Sequence, residues 1–298
     1  MKYTRRDFLG AAAAGAGALM LKGCAPKTKY YDPYDMVKVG KSGIVTTRLS
    51  MGTGYQTRSG QSAIARMDFE QARLLIRAAY ERGVRMFDVA DRYGTHNYIG
   101  QALKDFPRSE YTIFTKHWFL RGNNVPEGVR PGEETEEVAT RFLKELGTDY
   151  IDSLLLHFVT TADWNTQLSD YMSSLSKLKQ KGVIRSHGIS CHSLPAIETA
   201  INDSWVETVH VRINPYGMNM DDTVENVEPI VKRLHEAGKG VVGMKLLGEG
   251  KLVESDEQID HCISYALQLE ALDVLTIGFE NVEQIEDCER RIRKVEMV

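Results

Sequence analysis

The sequence predicts an α/β fold, a closed (β/α)8 TIM barrel, on three observations. From about residue 37, short β-branched or apolar runs alternate with longer segments of helical spacing. The alternation repeats eight times without an antiparallel interlude, and strands alternating with helices imply a parallel sheet. Eight such units within about 260 residues match a closed barrel in number and length. An open, doubly wound sheet is the competing architecture. It usually has fewer strands, and its nucleotide-binding form carries a Gly-rich turn after the first strand. Here that place reads MGTGYQTRSG, which does not make G-x-G-x-x-G.

The elements follow in order. VKVGKSGIVTTRLSMGTG reads as a small hairpin, then a first barrel strand ending near Gly52. DFEQARLLIRAAYERG places Phe69, Ala72, Leu75, Ile76 and Ala79 on one helical face and stops at Gly83. VRMFDVAD is a strand, NYIGQALKDF a short helix and YTIFTKHW a strand. GEETEEVATRFLKELG is a helix with an acidic first turn and a glycine stop. The second half keeps the rhythm. The strands are DYIDSLLLHF, IRSHGIS, VETVHVRIN, GVVGMKLLG and LDVLTIG. The helices after them are QLSDYMSSLSKLKQKG, LPAIETAIND, TVENVEPIVKRLHEAG, SDEQIDHCISYALQL and NVEQIEDCERRIRKV.

Bulk composition narrows the function. The chain has 298 residues, 42% hydrophobic and 26% charged, with a formal charge of −4. That composition fills a large core and argues against a nucleic-acid or membrane-surface binder, which would usually be basic. Cys24, Cys191, Cys262 and Cys288 are far apart and form no CxxC pair, so no metal site, iron–sulfur cluster or disulfide framework is expected.

Residues 1–25 read as a targeting segment outside the fold: a charged start, a small-residue apolar stretch and a cysteine after glycine. Thr4-Arg5-Arg6-Asp7-Phe8-Leu9 resembles a twin-arginine export signal, and LKGC at 21–24 resembles a lipobox that would acylate Cys24, although Lys22 fits that pattern poorly. An uncleaved Ala-rich helix is the plainer alternative. The expectation is export through the twin-arginine machinery to the periplasm or the outer face of the cell envelope, with a lipid anchor at Cys24. Residues 26–36 are polar and proline-bearing and read as a tether or extended arm, and 37–298 as the barrel.

In such a barrel the chemistry sits at the carboxyl ends of the strands. Strand one delivers Gly52, Thr53 and Tyr55; strand two, Asp88 and, in its loop, Tyr93; strand three, Lys116 and Trp118; strand four, His157. Strand five delivers Ser190 and Cys191; strand six, His210, Arg212 and Asn214; strand seven, Met244 and Lys245; strand eight, Gly278 and Phe279. A lone strand-end lysine is ordinarily a surface charge, and a lone histidine a satisfied polar residue. Asp88, Tyr93, Lys116 and His157 on one rim form a set that carbonyl reduction can use. A carbonyl accepting hydride develops negative charge on oxygen and needs a positioned acid. A phenol is a poor acid near neutrality, and a nearby ammonium lowers its pKa. A carboxylate fixes the ammonium, and an imidazole orients the carbonyl.

These motifs in this order resemble the aldo-keto reductase superfamily, from about Val37 to about Arg291. The resemblance rests on FDVADRYG with Gly100 beyond, FTKHW, LGTDYIDSLLLH, KGVIRSHGIS, GMKLLGEGKL and IGFENVEQI. It implies a barrel whose N-terminal β-hairpin closes the barrel bottom, hydride transfer between NADP(H) or NAD(H) and a small-molecule carbonyl or alcohol, and no metal. Tyr93 then stands as general acid, Lys116 and Asp88 as its tuning pair, and His157 as the carbonyl-orienting residue. Trp118 and Tyr55 fall in the substrate pocket. Gly52, Thr53, Ser190, Cys191, His210, Met244, Lys245, Gly278, Phe279, Asn281 and Gln284 fall where the cofactor is held. Cys191 replaces a common asparagine, His210 a common glutamine, and Met244 an aromatic that stacks on the nicotinamide; a thioether can still pack there.

At the adenosine end, Gly278 and Gln284 occupy places where the family often has a lysine or arginine, and Glu280, Glu283 and Glu286 add negative charge. A 2′-phosphate would lack charge-assisted partners, so NADH stands open beside NADPH. The chain ends soon after the eighth helix, which implies a more open pocket than in family members with a C-terminal covering loop; FLRGNNVPEGVRPGEET after strand three is long enough to cover part of it. The expected function is an NAD(P)H-dependent carbonyl reductase or alcohol dehydrogenase. A cofactor-binding sensor or accessory subunit with little turnover competes with it. A glycosidase-like barrel is weak, because no second strand-end carboxylate pairs with Asp88.

Overall fold

The structure is a computed structural model, and it describes residues 30–54, 62–119 and 135–297. The export-signal-like stretch, Cys24, Tyr55 and the segment 120–134 lie outside the described residues.

Two short strands, β1 (Met36–Lys38) and β2 (Val45–Thr47), pair antiparallel. Eight parallel strands then close a barrel: β3 (Leu49–Gly52), β4 (Met86–Asp88), β5 (Thr112–His117), β6 (Ile151–Val159), β7 (Ile184–Cys191), β8 (Thr208–Arg212), β9 (Gly240–Met244) and β10 (Val274–Gly278). They neighbour one another in chain order, and β10 closes on β3. Helices intervene: α1 (Ala63–Arg66), α2 (Phe69–Arg82), α3 (His96–Leu103), α4 (Thr135–Leu146), α5 (Trp164–Gln167), α6 (Ser169–Gln180), α7 (Leu194–Asn202), α8 (Val224–Glu236), α9 (Asp256–Gln268) and α10 (Val282–Ile292).

Local chemistry sets the element ends. The Asp68 carboxylate accepts from the amides of Glu70 and Gln71 to start α2, and Gly83, at φ 129, ends it. Ser193, Ser255 and Asn281 cap α7, α9 and α10 through their side-chain oxygens. The expected strand 84–91 shortens to Met86–Asp88, because Asp91–Tyr93 turns as a 3₁₀ helix.

Two cores result. The larger lies between sheet and helices. The smaller fills the barrel bottom, where Val39 and Ile44 of the hairpin meet Met86, Phe114, Val242 and Val274. The hairpin therefore plugs the end opposite the strand termini that carry the chemistry. The Asp273 carboxylate fixes the plug by accepting from the amides of Gly40 (3.0 Å) and Val241 (2.9 Å). Gly40 is required there: at φ 50, an added Cβ would lie 2.3 Å from the Gly240 amide nitrogen. The described part of the 26–36 segment lies on the same side. Tyr31 is buried, its amide donates to the Val295 carbonyl, and Leu49 donates back to the Pro33 carbonyl.

Candidate active site

Register brings the rim together. Gly278, Gly52, Asp88 and Phe114 are successive cross-strand partners, which aligns the ends of β10, β3 and β4 with β5. Lys116 lies two residues beyond Phe114, on the same face of β5. Its Nζ donates to both Asp88 oxygens (2.6 and 2.7 Å) and to the Val89 carbonyl (3.1 Å). His210 of β8 reaches across the barrel, with Nε2 2.9 Å from Asp88 Oδ1. All three side chains are buried. Burial pushes the Asp88 carboxyl up, but Lys116 and His210 outweigh it, and the group ends below its ordinary range. Burial lowers Lys116 and His210 against the pull of Asp88.

Tyr93 is carried on the 3₁₀ turn directly after β4. Lys116 Nζ lies 5.1 Å from its ring centroid. The Tyr93 and His157 rings meet edge-on, with centroids 5.8 Å apart at 90°. Gly54 permits this placement, since a Cβ there would lie 2.1 Å from the Tyr93 ring. The Thr53 hydroxyl donates to the Asp88 carbonyl (2.9 Å) and pairs with Thr95 (2.8 Å), so it ties the β3 end to the turn. Asp91 holds the turn from behind through Arg141 of α4 (3.0 Å), which also pairs with Glu145 (3.3 Å).

The electrostatics of Tyr93 run against the sequence expectation. Burial pushes the phenol well above its ordinary range, Asp88 and Glu249 push it further, and Arg92 only partly opposes them. Lys116 is neutralised by Asp88 at contact distance and is not among the charges that shift Tyr93. The expected lowering is corrected accordingly: the arrangement keeps Tyr93 protonated and able to donate.

His157 is neutral. Burial lowers it well below the usual imidazole range, and Lys116, His192, Arg92 and Lys245 add to that. A neutral imidazole can donate one N–H to a carbonyl oxygen without competing for the proton. It sits just before Phe158, a non-glycine residue at φ 66, where the β6–β7 register shifts between Leu156 and Val159. Such a backbone costs on the order of 1–3 kcal/mol and clusters at functional sites. Trp118 is buried and stands edge-on to His157, with centroids 5.3 Å apart at 88°.

The remaining sequence-predicted residues divide. Ser190 is buried and its Oγ has no partner, so it is free to bond a carboxamide. Cys191 is buried in the core between sheet and helices, and burial pushes its thiol up. His210, placed by sequence against the cofactor, is instead committed through Nε2 to Asp88. Met244 is buried at the end of β9, opposite Arg212 of β8. Lys245, at φ 60, is held by Glu249, and Arg212 by Asp221. Asn214 spends its amide on the Met218 and Lys245 carbonyls and accepts from the Tyr216 and Met218 amides, so it organises a loop.

At the adenosine end, Asn281 caps the Gln284 amide, and Gln284 Oε1 accepts from the Glu280 amide (2.8 Å). Glu286 is paired with Arg82. Gly278 is exposed and Phe279 buried. Among the described residues no cluster of His, Cys, Asp and Glu could hold a metal ion. Residues 92, 54 and 192 carry site geometry that the sequence did not single out. For Gly54 the signal was present in the second glycine of Gly52-Thr53-Gly54.

A closed parallel barrel with a Tyr, Lys, His and Asp set at its strand ends is the architecture that the resemblance to aldo-keto reductases implied. Comparison with known proteins agrees: residues 48–262 match the Aldo/keto reductase family. The chain belongs to that family. It is 30% identical over 149 residues to the methylglyoxal reductase DkgB of Salmonella typhi, covering 48% of this chain and 52% of the relative. The chain thus spans about half the length of that curated relative. Among solved structures it superposes on the holo form of an aldo-keto reductase from Bacillus halodurans with a TM-score of 0.70, at 19% identity over 90% of this chain and 93% of the other. It also superposes on an aldo-keto reductase from Klebsiella pneumoniae in complex with NADPH, with a TM-score of 0.64, at 14% identity over 88% of this chain and 91% of the other.

Proposed function

We propose that this chain is an NAD(P)H-dependent carbonyl reductase, or the alcohol dehydrogenase that runs the same step in reverse. The observation that supports the reading best is the grouping of Tyr93, Lys116 and His157 around one point above a buried Asp88. Family membership and the relatives' names support the same chemistry.

The residues present suit a nicotinamide cofactor. Ser190 Oγ is a buried polar atom without a partner. Ser190 would hold the carboxamide, and Lys245, released from Glu249, would meet the pyrophosphate. When bound, the cofactor supplies or takes the hydride. The protein does the rest. His157, neutral, donates to the carbonyl oxygen and fixes its direction. Tyr93, protonated, hands its proton to that oxygen as negative charge builds. Developing phenolate charge is then met by Lys116, held 5.1 Å from the ring centroid by Asp88. The ammonium therefore acts on the charged product of proton transfer more than on the resting phenol. Trp118 and His157 exclude water from one side.

Purified protein mixed with NADPH or NADH and a reactive aldehyde tests this. Oxidation of the nucleotide is expected. Nucleotide binding without oxidation of either form, across aldehydes and ketones, would favour a sensor in place of an enzyme. We further propose, from residues 1–24 alone, that the chain is exported folded by the twin-arginine route and anchored through Cys24. Because free nicotinamide cofactor is scarce outside the cytoplasm, the cofactor would then be loaded before export. Periplasmic protein isolated with an empty site would remove that step.

A further inference from the structure

Among the described residues, three cations at the strand-end rim are neutralised: Lys116 by Asp88, Lys245 by Glu249 and Arg212 by Asp221. Arg92, at the same rim, has no carboxylate and no hydrogen-bond acceptor among the described residues, and its Nε is buried without a partner. Its guanidinium carbon lies 4.6 Å from the centroid of the Trp118 ring. Trp118 is itself buried, and its indole Nε1 lacks an acceptor as well. From Trp118 the contacts run edge-on to His157 and from there edge-on to Tyr93. The free cation is therefore coupled by direct ring contacts to the place where the carbonyl would sit, and its charge is felt at Tyr93, His157 and His192.

A guanidinium stacked on an indole is held in plane and keeps its N–H fork for an oxyanion. One unpaired cation balances one carboxylate, whereas a phosphate dianion would leave excess charge there. We infer that Arg92, seated on Trp118, anchors a carboxylate carried by the carbonyl substrate, so that the pocket favours oxo acids and aldehyde acids over neutral carbonyls of the same shape. The inference deepens the reductase reading and rests on it for the reaction, though not for binding.

The test pairs 4-carboxybenzaldehyde with its neutral methyl ester, using the full chain as wild type, Arg92→Met and Arg92→Lys. For the wild type, kcat/KM should favour the acid. In Arg92→Met the acid-to-ester ratio should fall about 30-fold, mainly through KM for the acid, and Arg92→Lys should recover part of it, since a lysine keeps the charge but loses the fork. A ratio that does not move, with kcat lowered alike for both, would instead make Arg92 a tuner of Tyr93 and overturn the inference. Calorimetric titration of 4-(hydroxymethyl)benzoate and its methyl ester, with NADP present, separates the two claims. If no carbonyl is turned over, the reductase reading fails, yet tighter binding of the acid that is lost in Arg92→Met still upholds the anchor. Equal binding of acid and ester overturns it.

Discussion

The rim at β4–β8 and the rim at β9–β10 are built on opposite terms. At the first, Lys116 and His210 contact the Asp88 carboxylate, Tyr93 stands against Lys116, and His157 stands edge-on to Tyr93. Each is fixed by a strand end or a tight turn, and Asp88, Lys116, His157 and His210 are buried while Tyr93 is half-buried. At the second, Lys245, Asn281 and Gln284 are turned on their own loops: Lys245 on Glu249, Asn281 on the Gln284 amide, and Gln284 on the Glu280 amide. The first region is preorganised for a reaction. The second must release contacts before it can hold anything. Under the proposed function, the contrast makes chemistry and cofactor choice separable, with chemistry placed on rigid elements and nucleotide discrimination on loops.

The largest effect expected follows from that separation. Tyr93→Phe removes the hydroxyl that the proposed mechanism uses to protonate the carbonyl oxygen, so kcat should fall about 10³-fold. Nucleotide affinity, measured by fluorescence titration, should stay within about twofold, because the residues proposed to hold the cofactor lie on other strands. A loss of affinity in place of turnover would erase the division between the two rims.

Lys116→Met probes the same region through stability. It leaves Asp88 buried with only His210, and removing one member of a buried pair costs about 3–5 kcal/mol. The double variant Asp88→Asn with Lys116→Met should cost less than the two singles together, as read from urea midpoints. Strict additivity would mean that the pair is not coupled in the folded protein.

A smaller effect concerns pH. Burial lowers His117, on β5 beside Lys116, from its ordinary imidazole value to about 4. The unfolded chain then binds a proton that the folded one refuses. The stabilising contribution is complete above about pH 6.5, is lost as pH falls toward 4, and does not change further below that. The loss is about 3 kcal/mol by linkage. His117→Gln should flatten that window in a series of thermal melts, and a variant with the wild-type slope would place the acid sensitivity elsewhere.

Much of this was legible before any coordinates. The eight strand–helix pairs followed from hydrophobic spacing, and Asp88, Lys116 and His157 from their places at strand ends. Other features depend on distance across the barrel, which spacing does not encode. His210 and Asp88 are 122 residues apart, and only closure of the sheet brings them to 2.9 Å. Arg92 is one of many arginines in the sequence, and its lack of a partner is a property of its surroundings. Gly54 signals a close approach without naming Tyr93 as the ring that approaches. The protonation of Tyr93 could not be read from residue types, because the neighbour expected to acidify it is neutralised by the carboxylate that positions it. Strand chemistry was therefore more legible than side-chain electrostatics.

The smallest effect tests the loop rim alone. Gln284 stands in the first turn of α10 and now serves Glu280, while Glu280 and Glu283 remain exposed around it and Glu286 is drawn off by Arg82. A 2′-phosphate brought there would meet helix-start amides but no described cation, whereas a 2′-hydroxyl would need none. Gln284→Arg adds a fork suited to phosphate at an exposed position, where water and salt limit its worth. The ratio of kcat/KM for NADPH over NADH should rise about tenfold, or ~1.4 kcal/mol, and kcat with a saturating aldehyde should not change. The gain should shrink as salt is raised, since the new contact is solvent-facing. If kcat itself moved with this substitution, the two rims would be mechanically linked, and the reacting groups could no longer be treated as independent of the loops that choose the nucleotide.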